Sequence, residues 1–202
     1  MKAIVVVDLQ NDFCPGGALS VWGGNQIIPL VNSLLPKFEV RVATQDWHPP
    51  DHKSFAVNHG KKPGDVVELN GIEQALWPVH CVQGTKGAAF APEFQVNLVE
   101  KVFQKGTNKE VDSYSGFFDN DRRSATGLGD YLKQKGVIDV YVVGLATDYC
   151  VKHTALDAQR LGYRTHVIVD ACRGVDLKWG DSDKALANMR KFGIKTLKST
   201  EM

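Results

Sequence analysis

Four short stretches of the 202-residue chain carry side chains that could do chemistry together. The first is Gly144-Leu145-Ala146-Thr147-Asp148-Tyr149-Cys150-Val151. It follows Asp139-Val140-Tyr141-Val142-Val143, a β-branched and aromatic run that reads as a buried strand. After it, Val151, Thr154, Ala155, Ala158 and Leu161 recur at helical spacing until Gly162 supplies a stop. Cys150 is therefore expected in the first turn of a helix that leaves a central strand. Unpaired backbone N–H groups and the positive end of the helix dipole favour a thiolate there. For one cysteine taken alone, a buried and inert thiol is the better reading, so a nucleophile requires partners elsewhere.

The partners are Asp8, at the end of the run Ile4 to Val7, and Lys105, at the end of the weak run Lys101 to Gln104. A carboxylate, an ammonium and a thiol on one rim make a coherent nucleophilic set. The base takes the thiol proton, and the ammonium holds the base ionised and favours the thiolate. Taken singly, Asp8 could be an ordinary strand-end residue and Lys105 an ordinary exposed lysine. Asp148 opposes a thiolate by like charge unless its side chain turns away to cap the helix. In Asp46-Trp47-His48 a carboxylate and an imidazole stand two apart, on one side of an extended segment. His80, in Trp77-Pro78-Val79-His80-Cys81, could complete a two-histidine, one-carboxylate set for a divalent metal, and His52 is a further candidate ligand. Against this, histidines in polar loops are commonly solvated or cap something. His59, His153 and His166 have no such context.

Positioning these groups requires a particular scaffold. Strands are expected at Ile4 to Val7, Val40 to Thr44, Lys101 to Gln104, Asp139 to Val143, Arg164 to Val169 and Ile194 to Leu197, the last at an edge. Helices are expected after Asn25 (stripe Ile27, Ile28, Val31, Leu34, Leu35), around Leu128, Tyr131 and Leu132, after Cys150, and from Ser182 or Asp183 through Ala185, Met189 and Phe192. From His48 to about Asn97 there is little periodicity, and a loop that long in a compact domain is usually functional. Alternating strands and helices predict an α/β fold. One domain over residues 1–202 would hold a doubly wound parallel sheet of about six strands with helices on both faces. Ligands of such sheets bind beyond the carboxyl ends of the strands, at the switch point. Asp8, Asp46, Lys105 and Cys150 all fall there.

Bulk composition narrows the class. At 43% hydrophobic and a formal net charge of +1, the chain can bury one substantial core and presents no nucleic-acid or anionic-membrane surface. The apolar run at the N-terminus is too short for a secretory signal, and no segment approaches membrane-spanning length. Cys14, Cys81, Cys150 and Cys172 are widely spaced, which fits reduced thiols in a cytoplasm better than a disulfide scaffold or a zinc ribbon.

Together the blocks Val6-Val7-Asp8-Leu9-Gln10-Asn11-Asp12-Phe13, Asp46-Trp47-His48-Pro49-Pro50, Trp77-Pro78-Val79-His80-Cys81-Val82, Lys105-Gly106 and Gly144 to Val151 resemble the nicotinamidases, a branch of the isochorismatase-like cysteine hydrolases. The similarity runs from residue 3 to the C-terminal strand, in the family's order of motifs. D-L-Q-N-D-F and A-T-D-Y-C-V mark the superfamily, while D-W-H with W-P-x-H-C marks the branch. The resemblance implies Cys150 as nucleophile, Asp8 as general base and then acid, and Lys105 as their charge partner. It implies Asp46, His48 and His80 as ligands of one divalent metal, most simply zinc, with iron or manganese also allowed; His52 is a ligand only in some relatives and is left out. Phe13, Trp77 and Tyr114 would line the ring pocket. Backbone N–H groups of Ala146 and Cys150 would hold an oxyanion across a cis Leu145–Ala146 peptide.

The activity so implied is hydrolysis of nicotinamide to nicotinate and ammonia, a step of pyridine-nucleotide salvage, with a small-molecule substrate and a homo-oligomer allowed. Its rivals are another small-amide hydrolase of the superfamily and a non-catalytic interaction protein that keeps the fold. A metal-free isochorismatase fits less well, because that branch uses neither the D-x-H set nor a nucleophilic cysteine. A dinucleotide-binding dehydrogenase would need G-x-G-x-x-G where Asp8-Leu9-Gln10-Asn11 stands.

Overall fold

The six apolar runs pair as one parallel sheet in the computed structural model, which describes residues 1–202. Its strands are β1 (Lys2–Val7), β2 (Val40–Asp46), β5 (Lys101–Lys105), β6 (Asp139–Leu145), β7 (Arg164–Arg173) and β8 (Lys195–Leu197). A separate antiparallel hairpin joins β3 (Val66–Leu69) to β4 (Ile72–Ala75). The helices are α1 (Ile28–Leu34), α2 (Leu128–Gln134), α3 (Lys152–Arg160) and α4 (Asp181–Lys191). Spatial order in the large sheet is β5-β2-β1-β6-β7-β8, and every neighbouring pair is parallel. None of the helices is long and apolar enough to cross a membrane.

The alternation of β1 shows how the two faces are covered. Ile4 and Val6 pack with Ile28, Val31, Leu34 and Leu35 of the α1 segment. Ala3, Val5 and Val7 point the other way, into Leu128, Leu132, Ala155, Ala158 and Met189 from the remaining helices. Strands buried on both faces are apolar throughout rather than alternating, as β1 and β6 are. The direction of winding reverses between β1 and β6, so the switch point lies beside Asp8 and the turn after Leu145.

Several local expectations differ from what is built. Asn25 does not cap α1; it lies inside a 3₁₀ turn, Gly24–Ile27, that leads into the helix. Leu161 and Phe192 are about half exposed rather than part of the helical stripes, because each falls at the C-cap where the helix has already turned away. The hairpin lies inside the stretch that lacks periodicity. Its signal was nevertheless present: Asn70-Gly71, both with positive φ (54° and 83°), are suited to a two-residue hairpin turn. β7 runs four residues beyond Val169, keeping pace with β6 until Leu145 pairs with Arg173.

Gly144 makes the centre of this sheet possible. Its φ is +116°, and a Cβ there would lie 2.1 Å from the carbonyl oxygen of Val7 on the paired strand. The register between β6 and β7 also shifts between Val142 and Gly144. A Gly144→Ala chain must therefore either move β1 or change its own backbone. It is expected to lose at least about 3 kcal/mol of stability, with denaturant titration as the measurement. A loss below about 1 kcal/mol would show that the contact yields easily.

Candidate active site

Asp8, Asp46 and Lys105 stand on the adjacent strand ends of β1, β2 and β5, where the register sets Asp46 opposite Lys105. The chain turns sharply at Asp8 (φ 50°), a left-handed conformation that aspartate tolerates better than most residues. One carboxylate oxygen, Oδ1, accepts a 2.6 Å hydrogen bond from the Thr44 hydroxyl. The other, Oδ2, is ion-paired with the Lys105 ammonium at 2.9 Å. Lys105 is wholly buried. Its Nζ donates to Asp46 Oδ1 and to the Ser113 carbonyl (2.9 Å), and lies 3.4 Å from Cys150 Sγ. Carboxylate oxygens of Asp8 and Asp46 and the sulfur of Cys150 all fall within 4.8 Å of one another. Residues separated by up to 142 positions thus meet around one cation.

Burial and charge set the protonation of this group. Burial raises the Asp8 carboxyl to about 6, against the opposing pull of Lys105. It also pushes the Cys150 thiol well above its ordinary value, again opposed by Lys105. The favourable helix start is thus outweighed, and the resting sulfur is a thiol beside an available carboxylate. For Lys105, burial alone would lower the pKa, yet Asp46 and then Asp8 hold it well above normal. Burial would raise Asp46, but Lys105 and then His48 keep it well below the usual carboxylate range.

Cys150 is presented by a wide helical turn, Thr147–Val151, that precedes α3 rather than by the first turn of that helix. The Leu145–Ala146 peptide is cis. Asp148 turns away from the sulfur, and its two oxygens accept the backbone N–H groups of Val175 (3.0 Å) and Asp176 (2.8 Å).

The second oxygen of Asp46 faces a different group: Oδ2 lies 3.6 Å from His48 Nε2 and 3.9 Å from His80 Nε2. Nδ1 of His48 contacts the Gly106 carbonyl at 2.9 Å, and Nδ1 of His80 contacts the Pro78 carbonyl at 2.8 Å. A carbonyl only accepts, so each Nδ1 carries a proton, and in the neutral ring each Nε2 directs its lone pair toward Asp46. His48 Nε2 is buried with no hydrogen-bond partner. Burial lowers His80 to about 4, keeping it a neutral donor near neutral pH. Two oriented imidazoles and one carboxylate are a donor set suited to a divalent ion. His52 is built differently. The Ser54 backbone N–H donates to its Nδ1 (3.1 Å), so the proton sits on Nε2, 3.3 Å from the Val111 carbonyl. In that state His52 offers the metal position no lone pair.

Both groups open onto one pocket, lined by Phe13, Trp77, Tyr114, Tyr149, Ala146 and Cys150 with Asp46 and His80 at its floor. The cavity is a narrow slot of about 30 Å³ between the aromatic rings. Trp77 donates from Nε1 to the Tyr114 hydroxyl (3.1 Å) and packs edge-on against Tyr149 at 4.8 Å. A wider groove of 520 Å³ at Phe117, Leu161 and Tyr163 has no thiol or histidine and offers no comparable chemistry.

The acid, lysine, thiol, ligand and ring-pocket residues implied from sequence meet at this site, His52 standing aside, and further contributors had no role assigned from sequence. Thr44 orients Asp8. Gln10 bonds to both the N–H and the carbonyl of Asp46, pinning β2 beside β1. Asp112, Leu19 and Val175 complete the pocket wall. Tyr149, adjacent to Cys150, could have been found from its place in that turn.

Comparison with known proteins places this geometry. The isochorismatase-domain family matches residues 2–201. The chain is 46% identical to a nicotinamidase of Acinetobacter baylyi, covering 98% of this chain and 92% of that one. It is 47% identical to a nicotinamidase of Escherichia coli, covering 95% and 92%. Among solved structures, a nicotinamidase/pyrazinamidase of Acinetobacter baumanii superposes with a TM-score of 0.96 at 48% identity, covering 99% and 97%. A pyrazinamidase of Pyrococcus horikoshii in complex with zinc gives 0.80 at 38% identity, covering 98% of each chain.

Gly106 exposes the dependence of the histidine pair on its surroundings. With φ +63°, it carries the carbonyl that orients His48, and a Cβ there would lie 2.3 Å from the His48 ring. Gly106→Ala is expected to weaken zinc binding about 10–100-fold while leaving the far-ultraviolet circular dichroism unchanged. Calorimetric zinc titration gives the answer, and wild-type affinity would mean that His48 needs no such orientation.

Proposed function

The chain belongs to the isochorismatase-domain family, and from that premise we propose that it hydrolyses nicotinamide to nicotinate and ammonia through a thioester on Cys150. The curated nicotinamidases, 46–47% identical over nearly the whole chain, support an amide hydrolase. The observation that carries the mechanism is the Lys105 ammonium standing between Asp8 and Cys150 at the edge of an aromatic pocket.

Asp8 takes the thiol proton on Oδ2, beside Lys105, while Thr44 fixes Oδ1. The negative charge passes from carboxylate to sulfur beside Lys105, so the buried site keeps its net charge. The thiolate attacks the carboxamide carbon, and backbone N–H groups of Ala146 and Cys150 hold the oxyanion. Losing one such donor typically costs about 2.7–4 kcal/mol of transition-state stabilisation. Protonated Asp8 next gives its proton to the departing ammonia. It then draws one from the water that opens the thioester and returns it to the expelled Cys150 sulfur, so the acid product leaves and thiol and carboxylate are restored.

Asp46, His48 and His80 are suited to hold one divalent ion, zinc by the example of the Pyrococcus enzyme, with iron and manganese also matching the donors. Such an ion supplies a Lewis-acid position for a pyridine nitrogen, which orients the ring. Phe13 and Trp77 flank the flat ring. Aromatic contacts add only about 0.5–1.5 kcal/mol beyond area and do not distinguish one flat amide from another.

The decisive assay is ammonia release from nicotinamide and from benzamide, which lacks the ring nitrogen. Nicotinamide should be strongly preferred. A site built around a polar partner can discriminate about 10⁴–10⁵-fold, whereas shape alone manages about 10–200-fold. Cys150→Ala should abolish turnover and keep bound metal near the wild-type ratio; His80→Ala should lose the metal. If Cys150→Ala strips the metal, the two roles are confused, and comparable kcat/KM for both amides would remove the reason for naming nicotinamide.

A second expectation concerns pH. Asp8 must be ionised to accept the thiol proton, and its carboxyl is raised to about 6. kcat/KM should therefore be full above that pH and fall about tenfold per unit below it. An acid limb lying near 4, the range of an unperturbed carboxylate, would dissociate Asp8 from the step.

A further inference from the structure

Two of the segments that wall the pocket holding Cys150 are tied directly to each other. One is the nucleophile turn, which contributes Ala146, Tyr149 and Cys150; the other is the strap 174–180, which contributes Val175. We propose that Asp148 is a positioning residue that ties this strap to the nucleophile turn, so that Val175 closes the pocket and sets which ring is accepted. The substrate in this inference rests on the function proposed above.

The tie is made by both oxygens of one carboxylate. Oδ1 accepts from the Val175 N–H and Oδ2 from the Asp176 N–H, two successive donors of the strap. Asp148 is buried and makes no ion pair within 4 Å, so these main-chain donors stand in for the water it has lost. Its own side chain does not line the pocket, although the residue after it and the residue two after it both do. The extra length of β7 delivers the strap to this place, since Leu145 pairs with Arg173 immediately before Ala146 and Gly174.

The far end of the strap is fastened separately. Asp176, at φ 49°, accepts from the Ser182 N–H (2.7 Å) and hydroxyl (2.8 Å), in the first turn of α4. Between the ties, Leu177 is half exposed and Trp179 is almost fully exposed, so no apolar packing holds the middle. Gly174 leaves no room to shift inward: a Cβ there would lie 1.8 Å from Ser182 Oγ and 3.2 Å from Asp148 Oδ1. Val175 packs its side chain against the apolar core, and Asp148 holds its backbone N–H, so the two together set its position in the wall. In a slot of about 30 Å³, a small displacement of that wall changes what fits. Asparagine cannot replace the aspartate, because its amide nitrogen would face a second N–H donor.

The test compares wild type, Asp148→Asn, Val175→Ala and the double variant, all metal-loaded, on nicotinamide and on ring-methylated nicotinamides. Asp148→Asn should raise KM for nicotinamide about tenfold, keep kcat within about threefold and leave bound zinc unchanged. Amide hydrogen exchange at Val175 and Asp176 should quicken. Asp148→Asn and Val175→Ala should each improve methylated substrates relative to nicotinamide, and their effects should not add, because one acts through the other. A loss confined to kcat, or additive effects on selectivity, would overturn the proposal in favour of a direct influence of Asp148 on the thiol. If Asp148→Asn fails to fold, Val175→Ala decides by itself, and unchanged selectivity sinks the idea. Should wild type release no ammonia from nicotinamide, the proposed substrate falls. Exchange at Val175 and Asp176 in Asp148→Asn then still reports the tie, and unaltered exchange would refute it.

Discussion

One buried ammonium sets the terms for everything around it. Lys105 is out of solvent, and an isolated charge in that position would cost several kcal/mol. It is tolerated because Asp8, Asp46 and the Ser113 carbonyl surround it with negative charge and acceptors. The same contacts make it useful. Lys105 holds Asp46 ionised beside the histidines on its other side and lies against both Asp8 and Cys150, the pair between which the proposed mechanism moves a proton. The candidate metal position and the candidate nucleophile are therefore linked through the two oxygens of Asp46. Disturbing either group is felt by the other.

The sheet exists in a form that allows this meeting. Parallel strands send all their carboxyl ends to one rim, and the reversal of winding between β1 and β6 opens a crevice there. Fine alignment comes from polar ties between neighbouring strand ends. Gln10 fastens Asp46 through both main-chain groups, and Thr44 orients Asp8. The absence of a side chain at Gly144 lets β1 and β6 approach closely at the point where the nucleophile turn begins. Apolar burial on both faces stabilises the scaffold, while hydrogen bonds between its ends position the chemistry.

Main-chain groups direct the side chains at the site to an unusual extent. Carbonyls of Gly106 and Pro78 choose the tautomers of His48 and His80, and N–H groups of the strap draw Asp148 away from the sulfur. That last arrangement removes the like-charge conflict expected between Asp148 and Cys150. Burial introduces the opposite problem, because it favours the neutral thiol. A nearby carboxyl raised to about 6 narrows the difference in proton affinity, and the Lys105 ammonium, which opposes the rise at Cys150, narrows it further.

Much of this was legible in the chain alone. The alternation of β-branched runs with helical stripes required a parallel α/β sheet, and the chemistry-bearing residues stood at the ends of those runs. Asp8, Asp46, Lys105 and Cys150 could be set on one rim because position relative to a strand end is a local property, while the complete set with His48 and His80 was implied by the resemblance of the motifs to a family. What only the folded structure decided depends on distance across the chain. Sequence could not show that Asp46 serves two partners with its two oxygens, that Gln10 and Thr44 align the strand ends, or that His52 turns its lone pair to a backbone N–H. It could not show that β7 continues far enough to carry Val175 to the pocket, nor that burial would outweigh the helix dipole at Cys150. Orientation, solvent exclusion and the choice of hydrogen-bond partner arise from many weak contacts made at once, and those contacts exist only after the strands have packed.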